Sequence, residues 1–225
     1  MSTPLIKLCG MRRREDIEAA NAVLPNLVGF ILSPGYRRSV ALSDALALIE
    51  ELDPRIAHVG VFVNEPIEAV ARFTHAFDFD GGDAARTVMV QLHGNEDDNY
   101  IERLRHAMAY PGWMGIPIIK AFAVRSREDV ARAEASAADY VLLDNGTGTG
   151  EAFDWSLLEG VARPYFLAGG LGPGNVADAI ARLHPFGVDM SSGIETDGWK
   201  DPAKMRAAVR AVRDHDPTVG SWSQR

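Results

Sequence analysis

The 225-residue sequence predicts an α/β fold made of a single closed (β/α)8 barrel, the TIM barrel. Short apolar runs alternate with amphipathic segments along the whole chain. The apolar runs are rich in Val, Ile, Leu and Phe without polar alternation, which is typical of parallel strands buried on both faces. Eight strand–helix pairs in strict order favour closure into a barrel.

The eight predicted strands are short, and each precedes a helical segment. They are Leu5–Cys9, Leu27–Leu32, Ala57–Val63, Val88–Leu92, Pro117–Ala121, Tyr140–Leu143, Tyr165–Ala168 and Phe186–Met190. The alternative is an open doubly wound sheet, which usually has fewer strands and a Gly-rich fingerprint after the first one. Here the first strand ends in Cys9-Gly10-Met11 without that fingerprint, which favours the barrel.

The eight predicted helices carry apolar residues at helical spacing. They are Glu15–Val23, Ser43–Leu52, Pro66–His75, Asp97–Met108, Arg127–Ala135, Asp154–Val161, Pro173–Leu183 and Pro202–Val212. Ser43 and Ser126 stand at expected cap positions, and Pro66 and Pro202 suit a first helical turn. The fourth helix is the weakest prediction, because Asp98-Asn99 interrupts its early apolar pattern.

The sequence shows no domain boundary. We therefore expect one barrel over residues 1–213 and a flexible polar tail over residues 214–225. Residues 78–86 are rich in Gly and Asp, and we expect them to form a surface loop before the fourth strand.

Composition narrows the classes of partner. A formal net charge of −8 argues against nucleic-acid binding, whereas a small anionic substrate needs only local dipoles and one or two Arg side chains. The single cysteine excludes an internal disulfide and fits a reducing compartment. The first residues do not resemble a secretory signal, and no apolar run reaches the length of a membrane span. We therefore expect a cytoplasmic protein without membrane contacts.

Reactive side chains stand at the ends of several predicted strands, where this fold places its active site. Cys9 ends the first strand; it is either a small buried hydrophobic residue or, with a pKa lowered by its neighbours, a thiolate base. Asp144 follows the sixth strand and could cap a helix or form a loop salt bridge. The Gly-rich segment after Asp144 suits a mobile lid, which favours an acid–base role for this residue.

Two loops near the end of the chain indicate phosphate binding. Gly169-Gly170 follows the seventh strand, and Ser191-Ser192-Gly193 follows the eighth. Barrels of this type often bind phosphate between these two loops, where backbone N–H groups can approach the ligand. Gly-Gly alone could be only a turn, so the pairing of the two loops carries the prediction.

Metal binding is not supported by the sequence. The six His residues are scattered without paired metal-ligand spacing, and a single Cys excludes a thiolate cluster. His93 is better explained as a substrate contact or a hydrogen-bonded structural residue. The chain also lacks a phosphate-binding Walker loop and the Gly-x-Ser-x-Gly nucleophile elbow.

Seven motifs follow one another over nearly the whole chain, through about Arg213. They are Lys7-Leu8-Cys9-Gly10, Gly60-Val61-Phe62-Val63-Asn64, Val90-Gln91-Leu92-His93-Gly94, Leu142-Leu143-Asp144, Gly148-Thr149-Gly150 with Phe153-Asp154-Trp155, Ala168-Gly169-Gly170-Leu171 and Val188-Asp189-Met190-Ser191-Ser192-Gly193-Ile194-Glu195. In this order they resemble the phosphoribosylanthranilate isomerase family, (β/α)8 barrels of tryptophan biosynthesis.

The resemblance implies an Amadori rearrangement of N-(5-phosphoribosyl)anthranilate that uses no cofactor and no metal. It implies that Cys9 is the general base and Asp144 the general acid. The remaining positions that match substrate contacts are Arg38, His93 and Asp189, and those that match the phosphate site are Gly170, Ser191, Ser192 and Gly193. The resemblance implies a monomer or a homodimer and leaves the choice between them open.

The sequence departs from the family pattern in two loops near the expected site. Met11-Arg12-Arg13-Arg14 is more basic than the usual form, and Gly35-Tyr36-Arg37-Arg38-Ser39 leaves the choice between Arg37 and Arg38 open.

Other functions stay open beside the isomerase. A histidine-pathway sugar isomerase would use paired aspartates, one of them where Cys9 stands. An indole-glycerol-phosphate synthase-like lyase would need Lys and Glu groups, and Lys120 is the only strand-end Lys. A non-catalytic barrel that binds a phosphorylated ligand is the third alternative.

Overall fold

The computed structural model describes residues 3–77, 88–109, 115–144 and 155–214, and it confirms the predicted closed barrel. Eight parallel strands pair in chain order, and the last pairs with the first. They are β1 (Leu5–Cys9), β2 (Leu27–Ile31), β3 (Ala57–Phe62), β4 (Val88–Leu92), β5 (Ile118–Ala123), β6 (Tyr140–Asp144), β7 (Tyr165–Leu167) and β8 (Gly187–Met190). The predicted 78–86 loop, the Gly-rich segment after Asp144 and all but the first residue of the predicted tail lie outside the described residues.

The described α-helices follow the predicted segments closely, with one exception. They are α1 (Arg14–Val23), α2 (Leu42–Glu50), α3 (Ile67–Thr74), α4 (Asp98–Ala107), α5 (Arg127–Ala135), α6 (Val176–Leu183) and α7 (Pro202–Asp214). In the described part of the chain, no helix is both long enough and apolar enough to span a bilayer.

The predicted helix Asp154–Val161 is wrong. The described part of this segment forms only a short 3-10 helix, Trp155–Leu158. Gly160 follows it at φ +84°, a left-handed conformation that ends a helix, so the apolar spacing belongs to a single turn rather than to a regular α-helix.

Helix caps explain the remaining differences at helix starts. The Ser126 side chain accepts a hydrogen bond from the Asp129 N–H, as expected of a cap. The Asp97 side chain accepts one from the Tyr100 N–H at 2.7 Å and caps α4. Asp98-Asn99, which weakened the fourth prediction, lie in the first turn of this helix. Ser43 is not a cap, because α2 begins one residue earlier, after Ala41.

The barrel interior changes character along its axis. Apolar side chains such as Leu27, Val59 and Leu142 form an internal cluster separate from the larger core between strands and helices. Lys7 and Asp189 are buried in the same barrel, with exposures of 0% and 8%. The interior is therefore not a purely hydrocarbon core, and its charged groups mark the end where the site lies.

A small antiparallel hairpin follows β8. A 3-10 helix, Ser192–Ile194, leads into β9 (Glu195–Thr196) and β10 (Trp199–Lys200). The half-exposed Trp199 ring contacts the guanidinium groups of Arg12 and Arg13, each 4.2 Å from its centroid. The unusual basic loop after β1 is thus packed against this hairpin by cation–π contacts.

Candidate active site

A cavity of about 910 Å³ opens at the carboxyl ends of the strands, and each strand or its following loop contributes to its lining. This volume suits a small-molecule ligand. The cavity brings together eight of the nine residues singled out in the sequence, namely Cys9, Arg38, His93, Asp144, Gly170, Asp189, Ser191 and Ser192. Among the described lining residues Gly193 is absent, and its role is different.

Gly193 allows the two expected phosphate loops to meet. A Cβ on Gly193 would collide with the carbonyl oxygen of Leu171, and a Cβ on Gly172 would lie 2.9 Å from the Gly193 oxygen. Gly169 and Gly170 adopt φ values of +92° and +68°, which favour glycine. The two loops are paired as predicted, and Gly193 packs against the backbone of Leu171; its place in the phosphate site stays a prediction.

Ser191 connects this region to the first strand. Its hydroxyl donates a hydrogen bond to the carbonyl oxygen of Cys9 at 3.1 Å. The loop after β8 and the end of β1 are therefore held together at the point where Cys9 enters the cavity.

Cys9 lies beside the charged pair of Lys7 and Asp189, of which only Asp189 was predicted from the sequence as a site residue. The ammonium of Lys7 donates to Asp189 Oδ2 at 2.9 Å, within the barrel. Lys7 stands two residues before Cys9 on β1, so both side chains point inward. A Lys in an otherwise apolar strand was the sequence signal for this residue, because a buried ammonium needs a partner.

Burial raises the pKa of the Cys9 thiol, and Asp189 adds to this effect. Lys7 and Lys200 act in the opposite direction but do not outweigh burial. Of the two alternatives open for Cys9, the thiolate base requires neighbours that lower this pKa. These positively charged neighbours are present, but burial outweighs them and the neutral thiol is favoured.

His93 faces Asp144 across the cavity mouth. His93 Nε2 lies 3.7 Å from Asp144 Oδ2, and Gln91 Nε2 lies 2.8 Å from His93 Nδ1. With the Gln91 amide donating to Nδ1, the neutral imidazole carries its proton on Nε2, toward Asp144. Burial lowers the pKa of His93, while the Asp144 charge opposes this, so a neutral imidazole is favoured near pH 7.

Arg38 is the cavity-facing member of the Arg pair. Its guanidinium binds both oxygens of Glu195, at 2.6 Å and 2.9 Å, and its side chain is 18% exposed. Arg37 reaches Glu195 from outside and is 58% exposed. Of the two, Arg38 lines the cavity and Arg37 does not.

Glu195 holds several cations in place. Lys200 Nζ lies 2.8 Å from Glu195 Oε1 and also donates to the Ser191 carbonyl oxygen at 3.0 Å. Burial alone would raise the pKa of Glu195, but hydrogen bonds from Arg38 and Lys200 outweigh burial and hold it at about 2. Sequence patterns did not identify this cluster, because Arg38 comes from the loop after β2 whereas Glu195 and Lys200 belong to two-residue strands that show no pattern.

Lys120 links β5 to the loop after β4 through hydrogen bonds. Its ammonium donates to the carbonyl oxygens of Gly94 and Ala121, at 2.8 Å and 3.0 Å, and lies 3.3 Å from Glu96. Glu96 in turn accepts from the Asn64 N–H at 2.7 Å. These contacts occupy the Lys that a lyase mechanism would need.

Within the described ranges, no group of three His, Cys, Asp or Glu residues is arranged to hold a metal ion.

Comparisons with known proteins agree on one family. The family model described as "N-(5'phosphoribosyl)anthranilate (PRA) isomerase" matches residues 6–211. An N-(5'-phosphoribosyl)anthranilate isomerase of Acetivibrio thermocellus is 39% identical over 222 residues, covering 95% of this chain and 98% of the relative. One of Clostridium acetobutylicum is 39% identical over 217 residues, covering 92% of this chain and 97% of the relative.

Solved structures of the same family share this fold. The phosphoribosyl anthranilate isomerase of Thermus thermophilus has a TM-score of 0.78 at 33% identity, covering 93% of this chain and 98% of that one. Another, in complex with reduced 1-(o-carboxyphenylamino)-1-deoxyribulose 5-phosphate, has a TM-score of 0.77 at 31% identity, covering 94% and 99%. The chain therefore belongs to the N-(5'-phosphoribosyl)anthranilate isomerase family.

Proposed function

We propose that the protein converts N-(5-phosphoribosyl)anthranilate to 1-(2-carboxyphenylamino)-1-deoxyribulose 5-phosphate, with Asp144 as general acid and Cys9 as general base. The observation that carries the assignment is that both residues line one cavity, together with the loops expected to bind phosphate. Family membership supplies the substrate class, and the cavity supplies groups of suitable chemistry for each step.

The first step opens the sugar ring. A protonated Asp144 gives its proton to the furanose ring oxygen as the C1′–O bond breaks, which leaves a protonated Schiff base between C1′ and the anthranilate nitrogen. The side chain of Asp144 is 21% exposed, so water still reaches it.

The second step moves a proton from carbon. The Cys9 thiolate removes the C2′ proton, and its electron pair forms an enolamine by neutralising the Schiff base. Tautomerisation of the enolamine then places hydrogen on C1′ and a carbonyl at C2′. One carbon is oxidised and its neighbour reduced within the same molecule, so the reaction is an intramolecular aldose–ketose isomerisation that needs no external redox partner.

The remaining lining groups suit the two anionic ends of this substrate. Backbone N–H groups around Gly170 and the hydroxyls of Ser191 and Ser192 suit the phosphate. The guanidinium of Arg38, held from behind by Glu195, suits the anthranilate carboxylate. His93 and Asp189 supply polar contacts between them.

A direct test is the loss of phosphoribosylanthranilate fluorescence with purified protein. We expect turnover with this substrate and none with the aminoaldose of the histidine pathway or the substrate of the indole-glycerol-phosphate synthases. Turnover of either competitor alone, or tight binding of a phosphorylated ligand without turnover of any substrate, would refute the assignment. Production in a host strain that lacks its own isomerase removes background turnover.

The oligomeric state and location of the protein stay predictions. A related structure is described as that of monomers generated from the dimeric enzyme of Thermotoga maritima, and this concerns that protein. We propose a monomer or homodimer in the cytoplasm, which light scattering of the purified protein and cell fractionation test.

A further inference from the structure

Lys7 is a fully buried lysine that the steps above do not use. Its exposure is 0%, and its backbone is paired directly with that of Asp189 across β1 and β8. Burying an ammonium away from water costs free energy, so a buried lysine needs an oppositely charged partner close by. Asp189 is that partner, and its 2.9 Å hydrogen bond to Lys7 Nζ fixes the position of the ammonium.

Gly29 creates the space that Lys7 and Cys9 share. Its backbone pairs with that of Cys9 across β1 and β2. A Cβ at this position would lie 2.7 Å from the Cys9 sulfur and 3.3 Å from Lys7 Nζ. The sulfur and the ammonium therefore pack against the same bare backbone, which places the charge beside the thiol.

The charges around Cys9 come from several elements. Lys7 on β1 is the strongest influence that lowers the pKa of the thiol, Asp189 on β8 raises it, and Lys200 on β10 lowers it further. Arg38, in the loop after β2, also interacts with Cys9. His93 and Asp144 line the same cavity from β4 and β6. Lys7 is thus the neighbour that most stabilises the thiolate and opposes the effect of burial.

Only one of the two carboxylate oxygens of Asp189 accepts a hydrogen bond from the described residues. Its Oδ2 accepts from Lys7, whereas Oδ1 is buried and has no hydrogen-bond partner among the described residues. Asp189 lines the cavity, so a substrate hydroxyl can donate to Oδ1. That donation would draw the carboxylate charge away from Cys9 and leave the charge of Lys7 to act on the sulfur.

We propose that Lys7 is a positioning residue of the isomerisation: its ammonium, anchored by Asp189, stabilises the Cys9 thiolate and couples its formation to binding of a substrate hydroxyl. The thiol proton passes to water in the cavity as the substrate hydroxyl binds Asp189. This inference rests on the proposed role of Cys9 as the base, but the ionisation of the thiol can be measured without turnover.

The test exploits the fact that Cys9 is the only cysteine of the chain. The rate of its alkylation by iodoacetamide, followed against pH, reports the thiolate fraction of this one group. In Lys7→Met we expect the profile to move to higher pH and the rate below its midpoint to fall about tenfold or more, which corresponds to at least one pH unit.

Two further variants separate charge from folding. Lys120→Met removes another buried, ion-paired lysine of the barrel, and we expect it to leave the alkylation profile in place. Lys7→Met/Asp189→Asn avoids an unpaired buried carboxylate, so it serves if Lys7→Met does not fold. We expect its profile to lie between those of wild type and Lys7→Met, because Lys7 influences Cys9 more strongly than Asp189 does.

The proposal would be overturned if folded Lys7→Met and the double variant both showed the alkylation profile of the wild type. It would also be overturned if Lys120→Met shifted that profile as much as Lys7→Met does. The acid limb of the kcat/KM profile should move with the alkylation profile in the Lys7 variants, and a fixed limb would contradict the coupling to catalysis. Full activity of Cys9→Ala would instead refute the role of Cys9 as base, while leaving the thiol titration valid.

Discussion

At the scale of single residues, the site depends on charges whose partners come from distant parts of the chain. Lys7 and Asp189 are 182 residues apart in sequence, and Arg38 and Glu195 are 157 apart. Strand-end position identified Cys9 and Asp144 in the sequence, because the barrel gathers strand ends, and the family resemblance added Asp189. It could not identify pairs, since a residue's partner across the barrel depends on register.

Arg38 and Arg37 form a matched pair for testing substrate contact. We expect Arg38→Gln to raise KM for phosphoribosylanthranilate by tenfold or more, because a charge-assisted contact in the cavity is lost. Arg37→Gln should change KM less than about twofold, because this exposed side chain only supports Glu195 from outside. Steady-state kinetics of both variants give the answer, and equal effects would contradict the choice of Arg38.

Glu195 should contribute stability that depends on pH. Its pKa of about 2 lies below that of an unfolded Glu, so the stabilisation is present above about pH 4.3 and is lost as pH falls toward 2. We expect Glu195→Gln to lower the free energy of unfolding by on the order of 3 kcal/mol at neutral pH. Urea unfolding at neutral pH and near pH 3 should show this difference shrinking.

The control is Glu159→Gln, which breaks the exposed ion pair with Arg182. Its effect should stay below about 1 kcal/mol at both pH values, as for other surface pairs. A Glu195→Gln effect that is independent of pH, or no larger than this control, would refute the role given to the buried carboxylate.

At the scale of elements, periodicity predicted the strands well because each is a short, largely apolar run between amphipathic helical segments. It failed for the segment around Trp155–Leu158, where a few apolar residues at helical spacing form only one 3-10 turn. It also gave no sign of β9 and β10, because strands of two residues are too short to show a pattern.

The contact between the loops after β7 and β8 should be sensitive to a single methyl group. In Gly193→Ala the new Cβ would collide with the Leu171 carbonyl oxygen, so the loops must separate. We expect KM to rise about tenfold or more and competitive inhibition by inorganic phosphate to weaken, with a smaller effect on kcat.

Gly174→Ala is the matched control, because a Cβ there meets nothing within 4 Å. Its KM and phosphate inhibition should stay near wild type. Phosphate inhibition unchanged in Gly193→Ala would contradict the assignment of these loops to the phosphate.

At the scale of the whole molecule, the apolar residues that stabilise the barrel and the polar residues of the site lie at different positions along the barrel axis. The apolar cluster within the barrel and the larger core around it depend on residues that alternate or recur in sequence, so the architecture was predictable. The cation cluster near Cys9 explains how a chain of net charge −8 can receive an anionic substrate, because Lys7, Arg38 and Lys200 act at short range. Net charge alone could not reveal it.

The central claim, that Cys9 and Asp144 carry the isomerisation in this barrel, is tested most directly by the fluorescence assay on Cys9→Ala and Asp144→Asn beside wild type. The account expects kcat/KM to fall about 100- to 10,000-fold in each variant, as for loss of a general acid or base, with unchanged circular dichroism and cooperative thermal unfolding. Near wild-type turnover in either folded variant would contradict the account.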